Sequence, residues 1–122
     1  MNLISIFIGG GLGSLSRYGL SLLFPYREGF PLATFCTNLA ASFILGLVLG
    51  WISKIDAGSS NQLKLFLVTG FCGGFSTFST FSAETLQLIK AQQWALATIY
   101  VLSSVVLSVL LLGLGFYWGK NG

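Results

Sequence analysis

Histidine is absent from this chain, and charge is scarce: six basic and three acidic residues in 122, or 7%. Without histidine the commonest metal ligand and the usual proton-transfer base are missing. A water-facing globular surface needs about 25% charged residues, so this composition excludes an ordinary soluble domain. The basic residues are scattered, so no patch suggests nucleic acid or a particular lipid headgroup. Cysteine is limited to Cys36 and Cys72, with no CxxC spacing and no histidine partner, and both read as small packing residues. No secretory leader is evident in "MNLISIFIGG", so that apolar run is expected to be retained. No nucleophile has a visible activating base, and an enzyme is not expected.

What remains is apolar. The chain is 54% hydrophobic, with a mean hydropathy of +0.85. The sequence divides into four apolar segments, about 3–24, 32–52, 63–89 and 94–118, joined by "PYREGFP", "SKIDAGSSNQLK" and "KAQQ". A helix of about 20 residues crosses a hydrocarbon core about 30 Å thick. The runs are long and do not alternate, which favours helices over barrel strands. Trp51, Trp94, Tyr117 and Trp118 stand at segment ends, where interfacial aromatics belong. The expected fold is one all-α membrane domain over residues 1–122, with four transmembrane helices.

The connecting segments barely encode an orientation. With four spans, Lys54, Lys64 and Lys120 share one side, and Arg27 and Lys90 the other. Orientation normally follows an excess of Lys/Arg on the cytoplasmic side. Near balance fits either insertion both ways round with pairing as an antiparallel homodimer, the reading favoured here, or an orientation fixed by weaker cues. Four short helices also enclose little space, so a path for solute is expected at a shared interface.

Several polar residues lie inside the spans. Segment one holds Gly9, Gly10, Gly11 and Gly13, read as close helix packing. It also holds Arg17, whose charge costs about 2.5–3.5 kcal/mol at a helix centre. Arg17 either anchors the span or draws anions into a wet vestibule. In segment two, Asn38 either ties helices together or donates to an anion, and Thr34 lies one turn before it. Segment three carries "GGFSTFSTFSAE", in which Phe75, Phe78 and Phe81 recur at every third position, each followed by serine. The glycines before that repeat predict an interrupted helix, whose freed backbone groups need partners. Ring edges carry positive quadrupole potential. Hydroxyls and amides add neutral donors, and together they describe an anion path that can also release its ion. The bland alternative is that each Phe packs and each hydroxyl bonds back to its own helix. Glu84 is either functional or the polar end of its span. Tyr100 and Ser104, four apart, share a face of segment four with Ser108.

The stretches "GSLSRYG", "TFCTNLAASFILG" and "GFCGGFSTFSTFSAE" closely resemble the CrcB/Fluc family of fluoride channels, across essentially the whole chain. The resemblance implies passive fluoride export, lowering cytoplasmic fluoride, through an antiparallel, dual-topology homodimer in the cell membrane. It implies that Phe78 and Phe81 contact fluoride with their ring edges and that Asn38 is the pore amide. Ser79 and Thr80 would supply hydroxyls, and Thr34, Tyr100, Ser104 and Glu84 would belong to the polar track and vestibule, with Arg17 as the segment-one arginine. A structural sodium ion at the dimer centre would be held by the carbonyls of Gly73 and Ser76 from both subunits. No organic cofactor is implied. Ala41 and Ser76 depart from the family's frequent glycine and threonine. A small proton-coupled exporter is the alternative. Small multidrug-resistance exporters, which share this size, depend on a first-span glutamate, and this first span has Arg17 and no acid.

Overall fold

The computed structural model describes residues 2–24, 29–55, 61–76 and 78–122, and these are helices and turns without a strand. Helix α1 is Asn2–Ser21 and α2 is Leu32–Ile52. Helix α3 winds as a π-helix over Lys64–Cys72 and closes with an α turn at Gly73–Phe75. Helix α4 is Phe78–Lys90 and α5 is Trp94–Asn121. The third apolar segment is thus α3 plus α4. Among the described residues, Leu32–Ile52, Asn61–Lys90 and Trp94–Asn121 are long and apolar enough to cross a membrane. Helix α1 has 20 residues, enough to span, with glycines, serines and Arg17 diluting its hydropathy.

Local chemistry sets the ends. Helix α2 begins after Pro31, whose carbonyl accepts from the Phe35 N–H at 3.1 Å. It closes at Ser53, whose hydroxyl donates to the Gly50 carbonyl at 2.6 Å. Both ends match the expected segment. Helix α1 stops at Ser21, short of the expected Phe24, and the Leu22 N–H is shared between the Tyr18 and Gly19 carbonyls at 3.3 and 3.2 Å. Between α4 and α5 the "KAQQ" turn closes on Gln92 at φ 60°, the left-handed position that helix ends usually give to glycine.

Two parallel helix pairs make the frame. Lipid tails are as apolar as leucine, so helices associate in a bilayer by close packing, and small residues let the backbones approach. Helices α1 and α3 meet through Gly9, Gly13, Gly70 and Gly74: an added Cβ on Gly9 would strike the Phe66 carbonyl, and one on Gly13 the Phe71 carbonyl. Helices α2 and α5 meet through Gly46, Gly50, Gly115 and Gly119, where an added Cβ on Gly46 would strike the Leu112 carbonyl and one on Gly50 the Phe116 carbonyl. In both seams the glycines are four apart and the numbers of the residues in contact rise together along the two helices, so each pair runs parallel. The expectation of packing by all four α1 glycines is corrected in part. Gly9 and Gly13 are at the seam and Gly10 touches it, whereas Gly11 has nothing within 4 Å of an added Cβ.

Candidate functional site

The interruption of the third span falls at Ser76. Gly73 stays helical at φ −63° and ψ −37°, while Ser76 is extended at φ −96° and ψ 152°. The glycines stay helical, and the break is made at Ser76. Gly74 instead lets α3 press against Gly10 of α1. A helix ending here leaves its last carbonyls without intrahelical partners. One is met across the subunit: Arg17 Nε donates to the Gly74 carbonyl at 3.3 Å. Arg17 is half-buried, and this bond ties its guanidinium to the break.

Beside the break lies a cavity of about 320 Å³, between the two helix pairs. Helix α1 contributes Arg17, Tyr18 and Ser21, α2 contributes Ala33, Thr34, Thr37 and Asn38, and α4 contributes Thr80 and Glu84. Five expected site residues from three helices, Arg17, Thr34, Asn38, Thr80 and Glu84, therefore converge on one space. The fixed charges there are one cation and one carboxylate; the remaining polar groups are hydroxyls and an amide. A larger cavity, about 840 Å³, opens beyond it and is lined by Phe30, Leu88, Gln87 and Gln93 among others. Ser21, Ala33 and Glu84 line both spaces, so Glu84 stands where they adjoin.

The wall behind Glu84 is aromatic. Tyr100 is fully buried, and its hydroxyl donates to Glu84 Oε1 at 3.1 Å, with Thr34 also hydrogen-bonded to it. Phe81 packs on the Tyr100 ring at a centroid distance of 4.9 Å. Phe78 leans on Phe81 at 5.8 Å but is 79% exposed. The Phe78–Phe81 pair thus runs from the interior to the outer surface of the subunit, where Ser79 is also exposed. Phe75, the first of the repeat, is buried and stacks on Phe71. Ser104 lies buried one turn beyond Tyr100, and among the described residues Ser104 Oγ and Asn38 Oδ1 have no hydrogen-bond partner. Gly73 lies in the last turn of α3 and Ser76 directly after it, and neither lines the cavity.

Thr37 was not singled out from the sequence. It is 3% exposed and lines the inner cavity. Spacing carried the signal: 34, 37, 38 and 41 fall on one helical face. Tyr18 and Ser21, beside Arg17 on α1, were missed in the same way.

A family model described as CrcB-like protein, Camphor Resistance (CrcB), matches residues 4–116. The chain belongs to the CrcB family. Its relatives include proteins named fluoride-specific ion channel FluC. The one from Pyrococcus abyssi is 44% identical over 116 residues, covering 95% of this chain and 94% of its own length. That from Pyrococcus furiosus is 44% identical over 117 residues, with the same coverage. That from Flavobacterium psychrophilum is 42% identical over 118 residues, again covering 95% and 94%. As a member of the CrcB family, with apolar helices of spanning length, this is a multi-pass membrane protein.

Proposed function

We propose that this chain is a fluoride-selective channel subunit that lets fluoride leave the cell passively. One observation carries the reading: Arg17, Thr34, Asn38, Thr80 and Glu84 converge on a single cavity beside the helix break. That cavity offers donors with almost no net fixed charge. Stripping an anion of its water costs tens of kcal/mol in a low-dielectric medium unless donors replace the shell. Conduction also requires that the ion be released, which neutral donors favour over a ring of fixed cations. The relatives' name as fluoride-specific channels supplies the ion.

The working unit is an antiparallel dual-topology homodimer. In one copy the Phe78 ring is 79% exposed, and the polar cavity stops short of it. A second copy against that face completes a path in which Phe78 and Phe81 present ring edges, with Ser79 and Thr80 beside them. Tyr100 and Ser104 continue the polar track.

The end of α3 also suits a structural sodium ion. Extended backbone at Ser76 turns carbonyls out of the helix, and carbonyl oxygens are the donors a hard cation prefers. Gly73 and Ser76 would give two oxygens per copy, so two copies are needed for a set of four. Bound there, sodium would pin the two breaks together.

Fluoride-electrode efflux from proteoliposomes tests the function. The expected result is fluoride release down its own gradient without an imposed proton gradient. Release that requires a proton gradient would replace the channel with a proton-coupled exporter.

A further inference from the structure

We propose that Thr37 is a fluoride-binding donor of the inner cavity and sets the channel's apparent affinity for the ion, an inference that rests on the fluoride-channel reading. The argument begins with charge. Arg17 and Glu84 line the same cavity and offset one another, so discrimination there falls to neutral donors. Some of those donors are already engaged, as the Ser21 hydroxyl is in donating to the Tyr18 carbonyl. Thr34 is hydrogen-bonded to the Tyr100 hydroxyl. Asn38 has one end that is an acceptor, Oδ1, which an anion cannot use.

Thr37 differs from several of the other helical hydroxyls. Ser76, Thr85, Thr98 and Ser103 each donate to a carbonyl of their own helix four residues back, the usual fate of Ser and Thr inside a helix. Thr37 has no such bond among the described residues, although it is buried in the cavity wall next to Asn38. Its β-branched side chain is stiff at χ1, so a hydroxyl held there is pre-positioned. The cavity has room for several waters at about 30 Å³ each. Fluoride therefore enters it hydrated, and the Thr37 hydroxyl replaces one water of the shell before the ion moves on to the Phe78–Phe81 rings.

The test uses full-length protein in proteoliposomes, with fluoride flux measured over a range of fluoride concentrations. Thr37→Val keeps the shape and removes the donor. It is expected to raise the half-saturating fluoride concentration about three- to tenfold, the span of one hydrogen bond. Thr37→Ser is expected to restore it to near the wild-type value. Thr37→Ala serves as a second donor-free variant if Thr37→Val does not fold. An unchanged half-saturating concentration in the donor-free variant would overturn the proposal, as would a fall in maximal flux alone, the mark of a purely structural role. Wild-type protein that passes no fluoride would instead overturn the channel reading and this proposal with it.

Discussion

The two glycine seams and the space between the helix pairs are built on opposite terms. Within α1–α3 and α2–α5, backbones are so close that an added methyl would meet carbonyl oxygens. Between the pairs, the chain leaves a polar cavity edged by Arg17, Asn38, Thr80 and Glu84. Dry, tight seams hold without polar groups, since van der Waals contact between small residues suffices in lipid. The open seam could not persist if it were apolar, because lipid or a collapsed side chain would fill it. The hydroxyl, amide and charged groups in its wall make it a place for water and ions. The difference separates the frame, which must be rigid, from the path, which must admit and release an ion.

The comparison breaks most sharply at a glycine of the frame. Gly46→Val places side-chain atoms against the Leu112 carbonyl and 2.8 Å from the Phe116 N–H. Overpacking typically costs about 1–3 kcal/mol, and here the obstacle is backbone, which yields least. Loss of the monodisperse species on size exclusion, with a large drop in thermal stability, is expected. Wild-type stability in that variant would show that the seam is not tight.

A change at the path should spare the frame. Phe78→Ile is expected to cut fluoride flux by more than tenfold while size exclusion stays unchanged, because Phe78 contributes little to the packing of one copy at 79% exposure. Flux near wild type would remove the ring-edge argument. Arg17→Gln sits between the two regions, since Arg17 both lines the cavity and bonds the Gly74 carbonyl. Partial loss of flux is expected, together with faster amide hydrogen exchange in residues 73–80. Slower flux with unaltered exchange would leave Arg17 a purely electrostatic role. The smallest effect belongs to Gly11→Ala, where an added Cβ meets nothing within 4 Å. Stability and flux are expected to stay within error of wild type, and a large loss would mean that this face packs against a second copy.

Hydropathy made the spans legible, and Pro31 and Ser53 bound α2 where the apolar run itself stops. Phe24 was counted as helix because it is apolar, although Pro25 follows it in sequence and disfavours the α region for the residue before it. The break in the third span was foreseen at the glycines and Ser76, and it falls at Ser76. What Gly74 supplies is closeness to α1, a tertiary fact that one segment cannot reveal. Arg17, Asn38 and Glu84 stood out because polar groups in an apolar span need a reason. That they share one cavity depends on how the two pairs are set side by side. Thr37 was hidden among hydroxyls that could equally bond their own helix, and what distinguishes it is burial without such a bond in the wall of the inner cavity.

The most direct test is a paired efflux measurement of wild type and Asn38→Leu, reconstituted at equal density after elution at the same size. The account predicts that wild type passes fluoride and excludes chloride, while Asn38→Leu, with its pore amide replaced by an apolar group of similar size, passes neither. Fluoride efflux from Asn38→Leu at the wild-type rate, or equal fluoride and chloride efflux from wild type, would contradict it.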